Sequence, residues 1–289
     1  MRYWKPAPAL EGLVSGYHLY AVIPGPTGTV SDVFQPAWPN LRFTFGEAVN
    51  WRVRQPEGEW QSVPHCSLFG PSSRVTWSES GPGLTVGIGL RPCGWARLMR
   101  DDAARWADRV AAPDGMPNFD TAALAERLAG LTDDEEVPAL FDETLAEAAA
   151  RGSQLGESTV AAMEAALLDP DLLTVTELAR RIGVSTRSIE RLSLRAFGFT
   201  PKLLLRRARF LRSLHAIAQA DAADRAAAID PSYSDYSHFV RDAHDFLGMS
   251  PQAFLNLDTP LLKQSLALRQ AVLGAPAQAL AGEGAPADP

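Results

Sequence analysis

The stretch TVTELARRIGVSTRSIERLSLRAFG (174–198) constrains the fold of this chain more than any other segment. Two short helices that cross closely need a small residue at the crossing, and Ala179 stands there. Four residues later Gly183 supplies the turn, where a left-handed backbone is cheap only for glycine. Six residues after that, Ile189 anchors the second helix, and Leu192 and Ala196 continue its apolar stripe. Val175, Leu178 and Ile182 form the matching stripe on the first helix. Ser185 is placed to cap the second helix. The spacing predicts a helix-turn-helix.

The polar face of the second helix carries Thr186, Arg187, Ser188, Glu190, Arg191 and Arg195. The three arginines lie four apart and make a slowly rotating basic ridge. In the major groove, residues near a helix N-terminus reach base edges and those further along reach phosphates. Arg187 and Arg191 are therefore the candidate base readers, with Thr186 and Arg195 on the backbone and Ser188 beside them. A plain three-helix bundle would leave the same arginines solvated. The charge distribution bears on the choice. The chain of 289 residues has a net charge of −7, which argues against nucleic acid. Residues 171–212, however, hold ten basic against three acidic residues, a net +7, leaving −14 for the rest. A basic block in an acidic chain is the footprint of a DNA-binding module.

Thr200-Pro201 then opens a further helix, since proline suits a first helical position. From Pro201 to Ala218 it would span roughly 27 Å at 1.5 Å per residue, about the separation needed to set a second reading helix one DNA turn, ~34 Å, away. A second unit follows at 227–254. Together the two units resemble the DNA-binding domain of the AraC/XylS family of transcription regulators. The resemblance rests on the first unit, Gly198-Phe199-Thr200-Pro201, Tyr233-Ser234-Asp235, Ser237-His238-Phe239, Arg241, Gly248-Met249-Ser250-Pro251 and Phe254. It implies two helix-turn-helix units bridged by one helix and entering successive major grooves, with a second reading helix over Asp235–Phe246 that presents Tyr236, Ser237, His238 and Arg241 to DNA. It also implies a sensor or dimerisation domain in front, and RNA polymerase as a partner if the protein activates. The second unit departs from the pattern. Ser232, after Pro231, stands where a glycine is usual, and a left-handed serine costs about 1 kcal/mol. The preceding DRAAAI is short of large apolar residues, and Asp235, Asp242 and Asp245 load the reading helix with negative charge. The first unit is expected to carry most of the readout.

The fold class expected is α+β, a β-rich front domain followed by an all-α domain with two helix-turn-helix units. Residues 1–115 are rich in Gly, Pro, Trp and β-branched residues, with strand-length runs at 41–45, 49–53, 74–77 and 84–90 that fit a small barrel or jelly roll. Near residue 94 the period becomes helical, with Trp95, Leu98 and Met99 as a stripe. The run 116–151 reads as a helical extension and a possible dimerisation element, with Thr132 and Glu135 as a capping box. Residues 152–158 read as the linker, 159–257 as the DNA-binding domain and 274–289 as a disordered tail. The front loosely resembles cupin-like sensor domains, through Trp38-Pro39-Asn40 and the RPCGWARLM run.

An enzyme is the competing class. A catalytic cupin needs clustered His and carboxylate ligands, whereas His18 and His65 are 47 positions apart and outside any HxH pair. His65-Cys66 as a metal pair competes with an ordinary loop histidine, and no GxSxG, HExxH or P-loop occurs. Gly87-Ile88-Gly89 reads as a closely packed strand. No catalytic residue, metal or cofactor is expected. Trp38, Trp51 and Trp77 are candidates to line an effector pocket, though tryptophans also fill small barrels. Arg42 would either pair with an acidic effector or sit exposed. The expected partners are double-stranded DNA, a small-molecule effector and a second copy of the chain, with no membrane. Without a signal peptide or membrane span, and with Cys66 and Cys93 as free thiols, the chain reads as cytoplasmic. The alternative is a ligand-binding or protein-interaction module whose DNA binding is weakened or lost.

Overall fold

The computed structural model describes the chain except residues 24–27, 47–48, 114–115, 117–118, 155, 222–223, 276–278 and 280–289. The tail expected from Gly274 on therefore lies almost wholly outside the described residues. The front is built of antiparallel strands β1 (Arg2–Trp4), β2 (Val14–Val22), β3 (Val30–Phe34), β4 (Asn40–Phe45), β5 (Arg52–Arg54), β6 (Gln61–Ser62), β7 (Cys66–Phe69), β8 (Thr76–Ser80), β9 (Gly83–Leu90) and β10 (Val110–Ala111). One sheet runs β1-β2-β9-β4-β7-β10 and the other β3-β8-β5-β6. The runs 41–45 and 84–90 fall on β4 and β9. The run 49–53 shrinks to β5 because Asn50 sits at positive φ (36°) and breaks the extended chain before it.

Side-chain alternation sorts the central strands into two environments. Tyr17, Leu41 and Phe43 point to one face, where Tyr17 and Phe43 meet Phe141 at ring separations of 5.0 and 6.4 Å. His18, Arg42 and Thr85 alternate with them and point between the sheets, where they are buried nonetheless. The inside of the front domain thus holds buried polar side chains beside its apolar ones.

Helices follow: α1 (Pro92–Leu98), α2 (Thr121–Ala129), α3 (Val137–Ala150), α4 (Glu157–Leu167), α5 (Val175–Ile182), α6 (Thr186–Ala196), α7 (Pro201–Gln219), α8 (Tyr236–Leu247), α9 (Pro251–Leu255) and α10 (Pro260–Leu273). The acid run enters α3 through a 3-10 turn capped by Asp133, which accepts from Glu135 N at 2.9 Å, not by Thr132. On α3, Phe141 and Leu145 are buried, Phe141 against Tyr17 and Phe43 of the front domain. Of the expected linker 152–158, Gly152 is closely packed and the last residues are already helical. α4 already starts at Glu157, and a Cβ on Gly152 would lie 2.4 Å from Arg97 O.

The helical part docks on the front domain through a buried seam. Arg91 pairs with Glu164 at 3.1 Å, both largely shielded from solvent. Arg207, 1% exposed, lies 4.2 Å over the Trp38 ring and donates to Ser72 O at 2.7 Å. Phe197 meets Trp38 edge-on at 5.5 Å, and Val75 N donates to Phe246 O at 2.9 Å. Gly198 (φ 85°) admits this approach, since a Cβ there would sit 2.5 Å from Pro71 Cγ. Finally α10 returns to the barrel. Asp32 accepts from Leu261 N (2.7 Å) and Leu262 N (3.2 Å), and Tyr3 and Ser265 hydroxyls are 2.6 Å apart.

Candidate nucleic-acid interface and effector cavity

The first unit folds as its spacing predicts. Thr174 caps α5 by accepting from Glu177 N at 3.1 Å, and Gly183 turns the chain at φ 78°. Ser185 caps α6 by accepting from Ser188 N at 3.2 Å. Leu178, Ala179, Ile189 and Ala196 are buried at the crossing. Turned outward from that crossing, Thr186, Arg187, Arg191 and Arg195 are exposed. Ser188 is half-buried, and its hydroxyl lies 2.9 Å from that of Ser185.

Ion pairing divides the basic block. Arg180 pairs with Glu177 at 2.6 Å, Arg181 with Asp169, Arg206 with Asp242 at 2.6 Å and with Asp245, and Arg212 with Asp230 at 3.4 Å. Arg209 lies 3.4 Å from Asp242, and Arg207 is in the domain seam. Arg187, Arg191, Arg195 and Lys202 make no ion pair among the described residues. The positive charge left free is therefore concentrated on and next to α6.

The second unit differs from its expectation. Among the described residues no helix stands between α7 and α8, where 224–235 form turns and bends instead. Ser232 is not at positive φ, so the expected strain is absent; its N–H and hydroxyl donate to Asp230 Oδ1 at 3.0 and 2.6 Å. Asp235 caps α8, accepting from His238 N at 2.7 Å. Asp242 is buried and accepts from Tyr233 Oη at 2.7 Å as well as from the arginines. The acids that looked like a burden on the reading helix are thus a cap and a structural ion-pair cluster. Tyr236, Ser237 and Arg241 are exposed on the outer face. His238 is half-buried, edge-on to Tyr233 at 5.0 Å and 3.4 Å from both Arg209 Nη2 and Ser234 Oγ.

Residues 178–256 match the family model described as a helix-turn-helix domain, HTH_18. The chain therefore carries a helix-turn-helix domain over these residues. No curated protein sequence matches the chain. Among solved structures it is similar to ToxT from Vibrio cholerae O395, at 10% identity over 83% of this chain and 96% of that one, with a TM-score of 0.43. A 1.65 Å structure of ToxT from Vibrio cholerae gives 10%, 83%, 97% and 0.44. The unsaturated-fatty-acid-bound ToxT of strain SCE256 gives 9%, 83%, 94% and 0.41.

A second site lies between the sheets of the front domain, a cavity of about 110 Å³ walled by β-strands and by α10. Of the effector candidates, Arg42 and Trp51 share it. Trp38 belongs to the domain seam, and Trp77 lies outside the cavity, 5.7 Å from the Arg54 guanidinium. Arg42 is buried, against the alternative of a surface arginine. Its guanidinium is caged by Phe69 at 4.2 Å, Phe34 at 4.4 Å and Trp51 at 5.7 Å. His18 fits beneath Gly87, where a Cβ would come within 2.3 Å of Nε2. Burial, reinforced by the positive charges of Arg42 and Arg269, holds its pKa well below the usual histidine range, so the ring is neutral. Sequence reading missed Tyr3, Tyr20 and the whole of α10. The signals for α10 were present in Thr259-Pro260, a cap followed by an N-terminal proline, and in Gly274, which ends the helix at φ 77°. His65 Nδ1 is 3.1 Å from Thr44 O, and no cluster of three metal-binding side chains occurs among the described residues.

Proposed function

We propose that the protein is a sequence-specific DNA-binding transcription regulator that reads DNA mainly with α6 and is controlled by a small molecule bound in the front cavity. The observation that carries the first half is the exposed, unpaired ridge of Arg187, Arg191 and Arg195 on the second helix of a well-formed helix-turn-helix. Arg187 and Arg191 reach base edges, while Thr186 and Arg195 hold phosphates. α8 adds Tyr236, Ser237 and Arg241 as secondary contacts; His238 acts by orienting the start of that helix. The effector half is supported by the cavity itself, whose buried polar lining includes hydrogen-bonding groups that the protein does not satisfy.

The test is titration of the full-length protein against its own promoter region and against random DNA across a salt series. A promoter complex tighter by about 10³-fold or more, with a steep salt slope, is the expected result. Equal weak binding to both sequences, with and without a metabolite panel, overturns the reading.

A further inference from the structure

The cavity between the sheets holds more positive charge than its own acids balance. Arg42 is 6% exposed, and its Nε and Nη1 have no hydrogen-bond partner among the described residues. Arg269, projecting from α10 into the same cavity, leaves Nε and Nη2 without a partner among the described residues, with its guanidinium 5.5 Å from the Tyr3 ring. His18 Nε2, also buried, is a further unsatisfied nitrogen. The acid that borders this space, Asp32, is already engaged by the backbone N–H groups of Val33, Leu261 and Leu262 at 2.7–3.2 Å. A guanidinium taken out of water is costly unless it is paired or hydrogen-bonded, and its planar fork matches a carboxylate. Apolar groups share the wall with hydroxyls such as Ser78 and Ser80: Phe34 and Trp51 from the strands and Leu262 and Leu266 from α10. A void of about 110 Å³ compares with the ~150 Å³ cavity that takes one benzene molecule.

We infer that this cavity binds a small monocarboxylate with a single-ring or short-chain apolar body, its carboxylate held jointly by Arg42 of β4 and Arg269 of α10. The inference rests on reading the cavity as the effector site and names its ligand class. One of the two charge partners comes from the sensor strands and the other from the helix that follows the DNA-binding domain. The ligand therefore bridges both ends of the chain. Arg42 sets the position of the carboxylate, because its aromatic cage fixes the guanidinium; Arg269 closes on it from α10.

The experiment uses the full-length protein and isothermal titration with benzoate and hexanoate, their neutral isosteres benzamide and hexanamide, and inorganic phosphate. At least one carboxylate should bind, with its amide weaker by about tenfold or more, a difference of ~1.4 kcal/mol. Arg269→Gln, a change at a half-exposed position, should weaken the carboxylate by about tenfold and leave the amide unchanged. Arg42→Lys is the second variant, which keeps a positive charge but loses the fork, and it too should weaken the carboxylate. Absence of binding by both carboxylates up to about 10 mM overturns the inference, as do amides or phosphate that bind equally well. An Arg269→Gln protein with unchanged carboxylate affinity overturns the bridging role. Promoter titrations in parallel separate the two readings. A neutral ligand that alters DNA affinity overturns the ligand class while sustaining effector control, whereas loss of specific DNA binding under every condition strikes the proposed function itself.

Discussion

α6 and α8 occupy equivalent places in the two halves of the DNA-binding domain and use charge in opposite ways. α6 points its arginines outward without acidic partners, and its buried side carries only Ile189, Ser193 and Ala196. α8 points Asp242 inward, where it ties Arg206, Arg209 and Tyr233 together, and leaves Arg241 as the exposed base on its surface. Arginines that stay unpaired on α6 have counterparts on α7 that Asp242 of α8 ties into an internal brace. A basic residue in the sequence is a DNA contact only when no carboxylate of the fold has reached it first.

The sharpest way to break this contrast is at Asp242. Asp242→Ala strands Tyr233 and two arginines at a buried position, so unfolding free energy should drop by about 3 kcal/mol. Asp245→Ala, at an exposed pair, should cost less than about 1 kcal/mol. Urea midpoints measure both, and equal losses would show that α8 has no internal brace. Next in size is Arg191→Ala, expected to weaken specific DNA binding by about 1–3 kcal/mol while changing random-sequence binding less. Arg241→Ala should weaken the specific complex by under about 1 kcal/mol. Fluorescence anisotropy on promoter and random duplexes checks the pair, and equal effects would make α8 a full reader. Ser185→Ala should reduce stability by about 1 kcal/mol through loss of the α6 cap, read from the same urea titrations.

A smaller effect separates the brace from acid sensitivity elsewhere. Burial lowers the pKa of His215 on α7 to about 4, from 6.5. The unfolded chain then takes up a proton that the native state refuses, so stability is full above pH 6.5 and is lost as pH falls toward 4. Arginine-paired Asp169 and Glu177 have pKa values shifted downward, which places their contribution at more acidic pH. Urea midpoints between pH 7.5 and 4.5 should show the slope, and His215→Leu should flatten it; an unchanged slope would assign it to other groups.

Much of the first unit was legible because its determinants are local. A cap at Ser185, a glycine at 183 and a stripe through Ile189 each act within a few residues of where they stand. β4 shows where local reading stops. On β4, Arg42 faces away from Leu41 and Phe43, and a single sheet would leave that face in water, which is why a surface arginine is the competing expectation. Here the second sheet covers it, which only the paired topology of β3-β8-β5-β6 reveals. Likewise the fates of Arg206, Arg207 and Arg209 depend on partners that are distant in sequence, Asp242 and Ser72 among them.

The return of α10 has a mechanical consequence. The DNA-binding domain is fastened to the sensor at its entry, through Arg91 and Glu164, and again at its exit, through Asp32 and the start of α10. A domain hung by one linker diffuses within a sphere set by that linker; one fastened at both ends is a strap. To move away from the sensor it must either unbuckle α10 or stay within the reach of residues 256–259, and each end keeps the other at high effective concentration. The C-terminal helix is then the fastening most easily lost, and shortening the chain there would loosen a domain whose own residues were untouched.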